Sequence, residues 1–176
     1  MIPLMWSILI VTLPTQPNAV RLRIWRALKA LGCAALRDGA YLLPDEHASA
    51  LESLAAEVQE HGGTASVLTL SPRDEAQRAE VLAQFDRTEA YAQWRDTATT
   101  LQAEFERLGE TEARRRLRGV ADALQTLRRI DYYAGPAAQQ AESDLLSLRR
   151  AFDNQFSKGE PQPRADDGIE RLDPAM

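Results

Sequence analysis

Two periods of apolar positions run along this chain, and the points where one gives way to the other mark its elements. Residues 5–13 (MWSILIVTL) form an apolar, β-branched run that meets Pro14 and Pro17, the pattern of a buried central strand stopped by residues that cannot extend a ladder. A helix follows at once. Asn18 is placed to cap it, and Val20, Ile24, Ala27, Leu28 and Leu31 recur at helical spacing until Gly32 supplies the stop. Residues 33–36 and 40–43 are short strand candidates joined through Arg37, Asp38 and Gly39, and Asp-Gly is a strong hairpin signal. Asp45 then starts a second helix, whose Ala48, Leu51, Leu54, Ala55 and Val58 share one face before the break at Gly62 and Gly63, and residues 64–70 (TASVLTL) are β-rich. The order β-α-β-β-α-β predicts an α+β fold on the ferredoxin-like plan, an antiparallel sheet with both helices on one face.

Beyond residue 70 the period is helical throughout. Ser71, Pro72 and Asp74 read as a helix start, with serine as the cap and proline at the first helical position. A long pattern through Leu82, Phe85, Leu101, Phe105 and Leu108 runs to Gly109, with a break expected between residues 91 and 100. A second pattern spans Ala113 to Leu127, and Gly135-Pro136 separates it from a third with Ala141, Leu145, Leu148 and Phe152 on one stripe. Three amphipathic helices cannot bury their stripes alone. A layer of about three long helices over residues 71–156 is therefore expected to pack on the sheet unit of residues 5–70, the two making one compact domain. Residues 157–176 turn to Lys, Gly, Glu, Pro, Gln and Asp, and are expected to be a disordered tail.

Composition changes this picture little, and charge changes it more. With 44% hydrophobic and 27% charged residues in 176, the chain has the make-up of an ordinary globular protein. Residues 1–13 lack a basic leader and are too few to cross a bilayer, so a cytoplasmic protein without a membrane partner is expected. The single cysteine, Cys33, agrees with a reducing compartment. The net charge of −5 gives no overall attraction to nucleic acid. The charge is nevertheless segregated: no Asp or Glu precedes Asp38, while Arg21, Arg23, Arg26, Lys29 and Arg37 all fall before it.

At about 100° per residue, Arg21, Leu22, Trp25, Arg26 and Lys29 fall opposite the apolar face of the first helix. Two readings compete here. Either these cations contact phosphates with Trp25 as a stacking or docking element, or the C-terminal helices cover Trp25 and Leu22 and the arginines rim that contact, the reading slightly favoured by the rarity of exposed apolar patches. Arg114, Arg115, Arg116, Arg118, Arg128 and Arg129 form a second basic band, but Glu104, Glu106, Glu110 and Glu112 lie beside it, the pattern of a salt-bridged helix face. His47 and His61 sit at opposite ends of the second helix, and there is no Cys/His cluster, P-loop, GxGxxG or GxSxG. No metal, cofactor or catalytic role is expected.

The stretch WSILIVTLPTQPNAVRLRIWRALKALGCAALRDGAYLLP, together with FDRTEAY (85–91) and IDYYAGPAAQQAE (130–142), resembles the N-terminal region of ChrB-type chromate-resistance regulators, over roughly residues 5–155. The resemblance implies a bacterial protein tied to transcriptional control of a chromate efflux operon. Full-length members typically carry a second, C-terminal domain tied to the chromate response; no such domain is expected in these 176 residues, and chromate is a candidate effector whose sensing domain is expected to be missing. The first unit is also similar to the ferredoxin-like domain of PaaX-type repressors and of the small CRISPR-adaptation nuclease, relatives that dimerise through it, so a homodimer is expected by analogy. That nuclease carries an acidic residue after its first strand, whereas Leu13, Pro14 and Thr15 here offer no carboxylate for a metal. The leading expectation is a non-enzymatic regulator that binds duplex DNA through Arg21, Arg23, Arg26, Lys29 and Arg37, with Trp25 at the contact. The alternative is a homodimeric protein-interaction module that binds no DNA.

Overall fold

The computed structural model of the chain describes residues 4–13, 15 and 18–157, so the expected tail lies, apart from Ser157, outside the described residues. Its elements are β1 (Trp6–Thr12), α1 (Asn18–Ala30), β2 (Ala34–Arg37), β3 (Ala40–Pro44), α2 (Ala48–Glu60), β4 (Thr64–Leu70), α3 (Glu75–Gln84), α4 (Thr88–Glu104), α5 (Glu110–Arg129) and α6 (Pro136–Phe156). The fold is α+β, with a four-stranded sheet in the order β2-β3-β1-β4 and every neighbouring pair antiparallel. β1 is central because its side chains are apolar on both faces. Leu9 and Val11 look one way, onto Val20, Ile24 and Leu28 of α1 and Leu51, Leu54, Ala55 and Val58 of α2. Trp6 and Ile8 look the other way, and Val81 and Phe85 from the region of α3 close over them.

Two turns set the geometry around α1. The hairpin between β2 and β3 uses Gly39 at φ 78°, a conformation costly for a side chain, and a Cβ there would lie 2.7 Å from the Val11 carbonyl oxygen. Gly32 ends α1 at φ 73°, where the Gly32 amide donates to the Lys29 oxygen and the Cys33 amide to the Leu28 oxygen. It is also a crossing point, since a Cβ on Gly32 would come within 2.5 Å of the Ile130 Cβ.

The remaining helices differ from expectation in two respects. The pattern over residues 71–109 breaks at residues 85–87, not between 91 and 100, because Asp86 Oδ1 accepts from both the amide and the hydroxyl of Thr88 and starts a new helix there. The cap of α3 is Asp74, which accepts from the Gln77 amide, and Ser71 lies outside the helix. Among the described residues, four helices thus follow β4. The first packs on the sheet, while α4, α5 and α6 enclose a core of their own around Trp94, Leu101, Phe105, Leu124, Leu148 and Phe152. Trp94 Nε1 donates to the Val120 oxygen inside that core, and the ion pairs Arg95–Asp144 and Arg128–Glu142 lace its outside.

Asp45 is another correction. Its carboxylate does not cap α2; a 3-10 turn over Asp45–His47 precedes that helix, and Asp45 Oδ1 accepts from the hydroxyl of the buried Ser7 at 2.7 Å. A buried hydroxyl without a partner is costly, so this long-range demand outweighs a local cap.

The two left-handed glycines at helix ends predict a contrast. Gly32→Ala adds a clash with Ile130 to its backbone strain and should cost about 2–4 kcal/mol, whereas Gly62→Ala, at φ 82° with nothing within 4 Å, should cost about 1–2 kcal/mol. Urea denaturation of both variants measures this, and equal losses would show that Ile130 does not hold its place against α1.

Candidate nucleic-acid interface

The helical layer leaves the outer face of α1 uncovered. Trp25 is 51% exposed and Leu22 46%, so the expectation that residues 73–156 bury them is overturned. The reason is topological: α1 packs on the face of the sheet opposite α3, and the three-helix core binds its own stripes. Burial of Val20, Ile24 and Leu28 fixes the rotation of α1, which turns positions 21, 22, 25, 26 and 29 outward.

An open groove of about 770 Å³ runs between α1 and the β2–β3 hairpin, and Thr12, Asn18, Arg21, Trp25, Asp38 and Tyr41 are among the residues lining it. A smaller hollow of about 160 Å³ continues past Trp25 to Lys29, Cys33 and Ala35. Arg21, Trp25 and Lys29 stand one turn apart along this line, covering about 12 Å of helix. The Lys29 ammonium lies over the indole of Trp25, 5.1 Å from its centroid.

The predicted cations separate by position. Arg21 and Lys29 border the groove, and Arg26 projects from the ridge beside Leu22. Arg37 ends β2 next to Asp38 on the opposite wall. Arg23 lies on the other flank, its Nε 2.8 Å from Glu57 of α2, although its side chain is largely exposed. Among the described residues, Arg21, Arg26, Lys29 and Arg37 take part in no ion pair. In the α5 band, by contrast, four of the six arginines are paired and only Arg118 and Arg129, among the described residues, take part in no ion pair. Arg114 pairs with Glu110, Arg115 with Glu112, Arg116 with both Glu104 and Glu112, and Arg128 with Glu142. Hydrogen bonds from Arg115 and Arg116 hold the Glu112 carboxyl down at about 2. Cations already neutralised in this way have less to offer a phosphate.

Sequence reasoning missed the residues that fix the far end of α1. Arg87 Nη2 donates to the Gly32 oxygen (2.6 Å) and the Tyr132 hydroxyl donates to the Leu31 oxygen (2.5 Å). Both come from motifs that carried the resemblance, residues 85–91 and 130–142. Tyr91 of the first donates to Asp131 of the second, Phe85 meets Tyr132 and Tyr133 edge-on, and Tyr133 accepts from Trp6 Nε1. Burial pushes the Cys33 thiol up to about 12 despite nearby Arg87, which favours a protonated side chain over a reactive thiolate. Among the described residues no three His, Cys, Asp or Glu side chains gather where they could hold a metal, and no helix is long and apolar enough to cross a membrane.

These features define an α+β protein whose first helix presents an unneutralised basic ridge around an exposed tryptophan. The chain belongs to the ChrB family: the family model described as Protein ChrB, N-terminal, matches residues 21–158. It is also similar to Protein ChrB of Cupriavidus metallidurans, 35% identical over 173 residues, which cover 97% of this chain and 53% of that protein. The chain thus spans about half the length of that curated relative. No solved structure matches it.

The partial burial of Cys33 predicts a pH dependence. Its folded pKa of about 12 exceeds the ordinary thiol value of 9.0, so the folded state holds this proton more tightly than the unfolded state. The associated stability is complete below about 9 and lost as pH rises toward 12. An aromatic disulfide reagent should label native protein slowly near neutral pH and quickly after unfolding; equally rapid labelling of both would contradict this burial.

Proposed function

We propose that the chain acts in a chromate-resistance regulator of the ChrB type and binds duplex DNA without catalysis through the outer face of α1. The observation that carries the reading is that Arg21, Arg26 and Lys29 surround the half-exposed Trp25 with no carboxylate partner among the described residues, whereas the α5 arginines are largely paired. Phosphate contacts release counterions, and free cations on one rigid helix supply that term even in a chain of net charge −5. The acidic remainder turns the molecule so that only this face approaches DNA. Arg37 extends the contact from the hairpin, and Arg23 contributes least because Glu57 already holds it. The sheet order β2-β3-β1-β4, with α1 and α2 on one face, supports a ferredoxin-like reading of the first unit. Family membership supports the link to chromate, and we assign no chromate contact to any described residue.

A second reading has its own observation. β4 is an edge strand of seven residues without a charge, and Ile10 and Leu68 are exposed on the nearby sheet face, so two copies can pair antiparallel through β4 about a two-fold axis. Gln59 already donates to the Ala65 oxygen and limits that pairing to the rest of the strand. As an interaction module alone, the chain would self-associate independently of salt and leave DNA unbound.

Fluorescence anisotropy with its promoter duplex and an unrelated one separates the readings. Four phosphate contacts give a slope of log affinity against log salt near −3.6, and Arg21→Ala or Arg26→Ala should each reduce its magnitude by about one unit, whereas Arg114→Ala should leave it unchanged. No binding to either duplex at low salt would sink the DNA reading.

A further inference from the structure

Leu22 and Trp25 are the part of the α1 ridge that phosphate binding leaves unexplained. They stand three residues apart on one exposed face, with Arg21, Arg26 and Lys29 around them, and both stay about half exposed. Leu22 gains nothing from a phosphate oxygen, and the Trp25 ring offers it one N–H while the rest of its surface is apolar. On a surface held against a polyanion by flanking cations, the apolar matter within reach is the base stack and the methyl groups of thymine. The ring of Trp25 has hollows beside it, of about 770 and 160 Å³, and Lys29 lies over the indole. Asp38, across the larger groove, repels a phosphate from its floor. Phosphates are thereby kept off the groove floor and on its rims, at Arg21 and Arg26 on the ridge and Arg37 on the hairpin, and the apolar pair faces what lies between the strands.

We infer that Leu22 and Trp25 form an apolar wedge that enters the base stack of the bound duplex, so that α1 selects DNA by ease of local unstacking at pyrimidine–purine steps. The inference rests on the DNA reading above and specifies how that face discriminates. Wedges of this kind partly unstack a step and bend the duplex, and TA and CA/TG steps yield most easily. The cations set how tightly any duplex is held; the wedge sets which one is preferred. A second copy of this chain is the other occupant an exposed Leu-Trp pair could take, and it is an outcome of the test.

The test uses two end-labelled duplexes, one with a central TA step carrying 2-aminopurine and one with a stiff A-tract, and follows anisotropy, 2-aminopurine fluorescence and end-to-end energy transfer. Wild-type protein should prefer the TA duplex by about five- to tenfold, brighten the 2-aminopurine and raise the energy transfer as the duplex bends. Leu22→Ala/Trp25→Ala should lose the brightening, the bend and most of the preference while its weaker residual binding keeps the salt slope, and Trp25→Phe should restore part of the signal. Both positions are half-exposed, and circular dichroism confirms that the variants fold. Brightening or preference retained in the double variant would overturn the wedge. So would wild-type binding without either signal, or sedimentation showing that the double substitution dissociates a dimer. If wild-type protein bound neither duplex, the DNA reading would fail first and the wedge with it; Arg21→Ala/Arg26→Ala, which should lose binding to both duplexes, keeps the two failures distinct.

Discussion

The structure depends on how the C-terminal end of one helix is held. The last carbonyls of α1 have no partners within the helix, and such groups must be satisfied elsewhere. Gly32 turns the chain so that the amides of Leu31, Gly32 and Cys33 take up the oxygens of Ala27, Lys29 and Leu28, and the part-buried oxygens of Leu31 and Gly32 just past the helix accept from Tyr132 and Arg87. These donors stand at the α5–α6 and α3–α4 junctions, so a cap on one helix is also a joint between the sheet unit and the helices that follow. Arg87 brings a formal charge to the negative end of the α1 dipole, which strengthens the contact. Because the joint takes α1 by its end, the outer face of the helix stays free.

Charge follows the same division. On α5, glutamates one turn from the arginines bind them along the helix, and Glu104 and Glu142 pair with it from neighbouring elements. Such exposed pairs add little stability individually, but they offset the charge of Arg114, Arg115, Arg116 and Arg128. On α1 the carboxylate in contact is Glu57, which reaches Arg23 on the flank facing α2. The ridge of Arg21, Arg26 and Lys29 therefore keeps its full charge, and with Trp25 between the cations it suits a partner that is anionic outside and apolar within.

Much of this was legible in the sequence because the signals were local. The Asp38-Gly39 turn, the stop at Gly32, the strand at residues 64–70 and the Gly135-Pro136 start of α6 each rest on a few adjacent residues, and each stands where the pattern put it. What the pattern could not supply was tertiary. Nothing near Asp45 shows that Ser7 will be buried and need an acceptor, and nothing within α1 shows whether the helices arriving sixty residues later will cover Trp25. Arg87 and Tyr132 escaped notice for the same reason, since their partners are 55 and 101 residues away in the chain. The break before α4 is a different case: Asp86 followed by Thr88 is itself a local turn signal, and the long apolar periodicity obscured it.

The central claim is that the outer face of α1, and not the arginine-rich face of α5, is the surface presented to DNA. Amide chemical shifts of the labelled protein, followed as duplex is added, test it residue by residue. The account predicts shifts concentrated at residues 18–29 and at the hairpin residues 37–39, with the indole signal of Trp25 moving and those of the buried Trp6 and Trp94 still. Shifts centred on residues 110–129, with residues 18–29 unchanged, would contradict it.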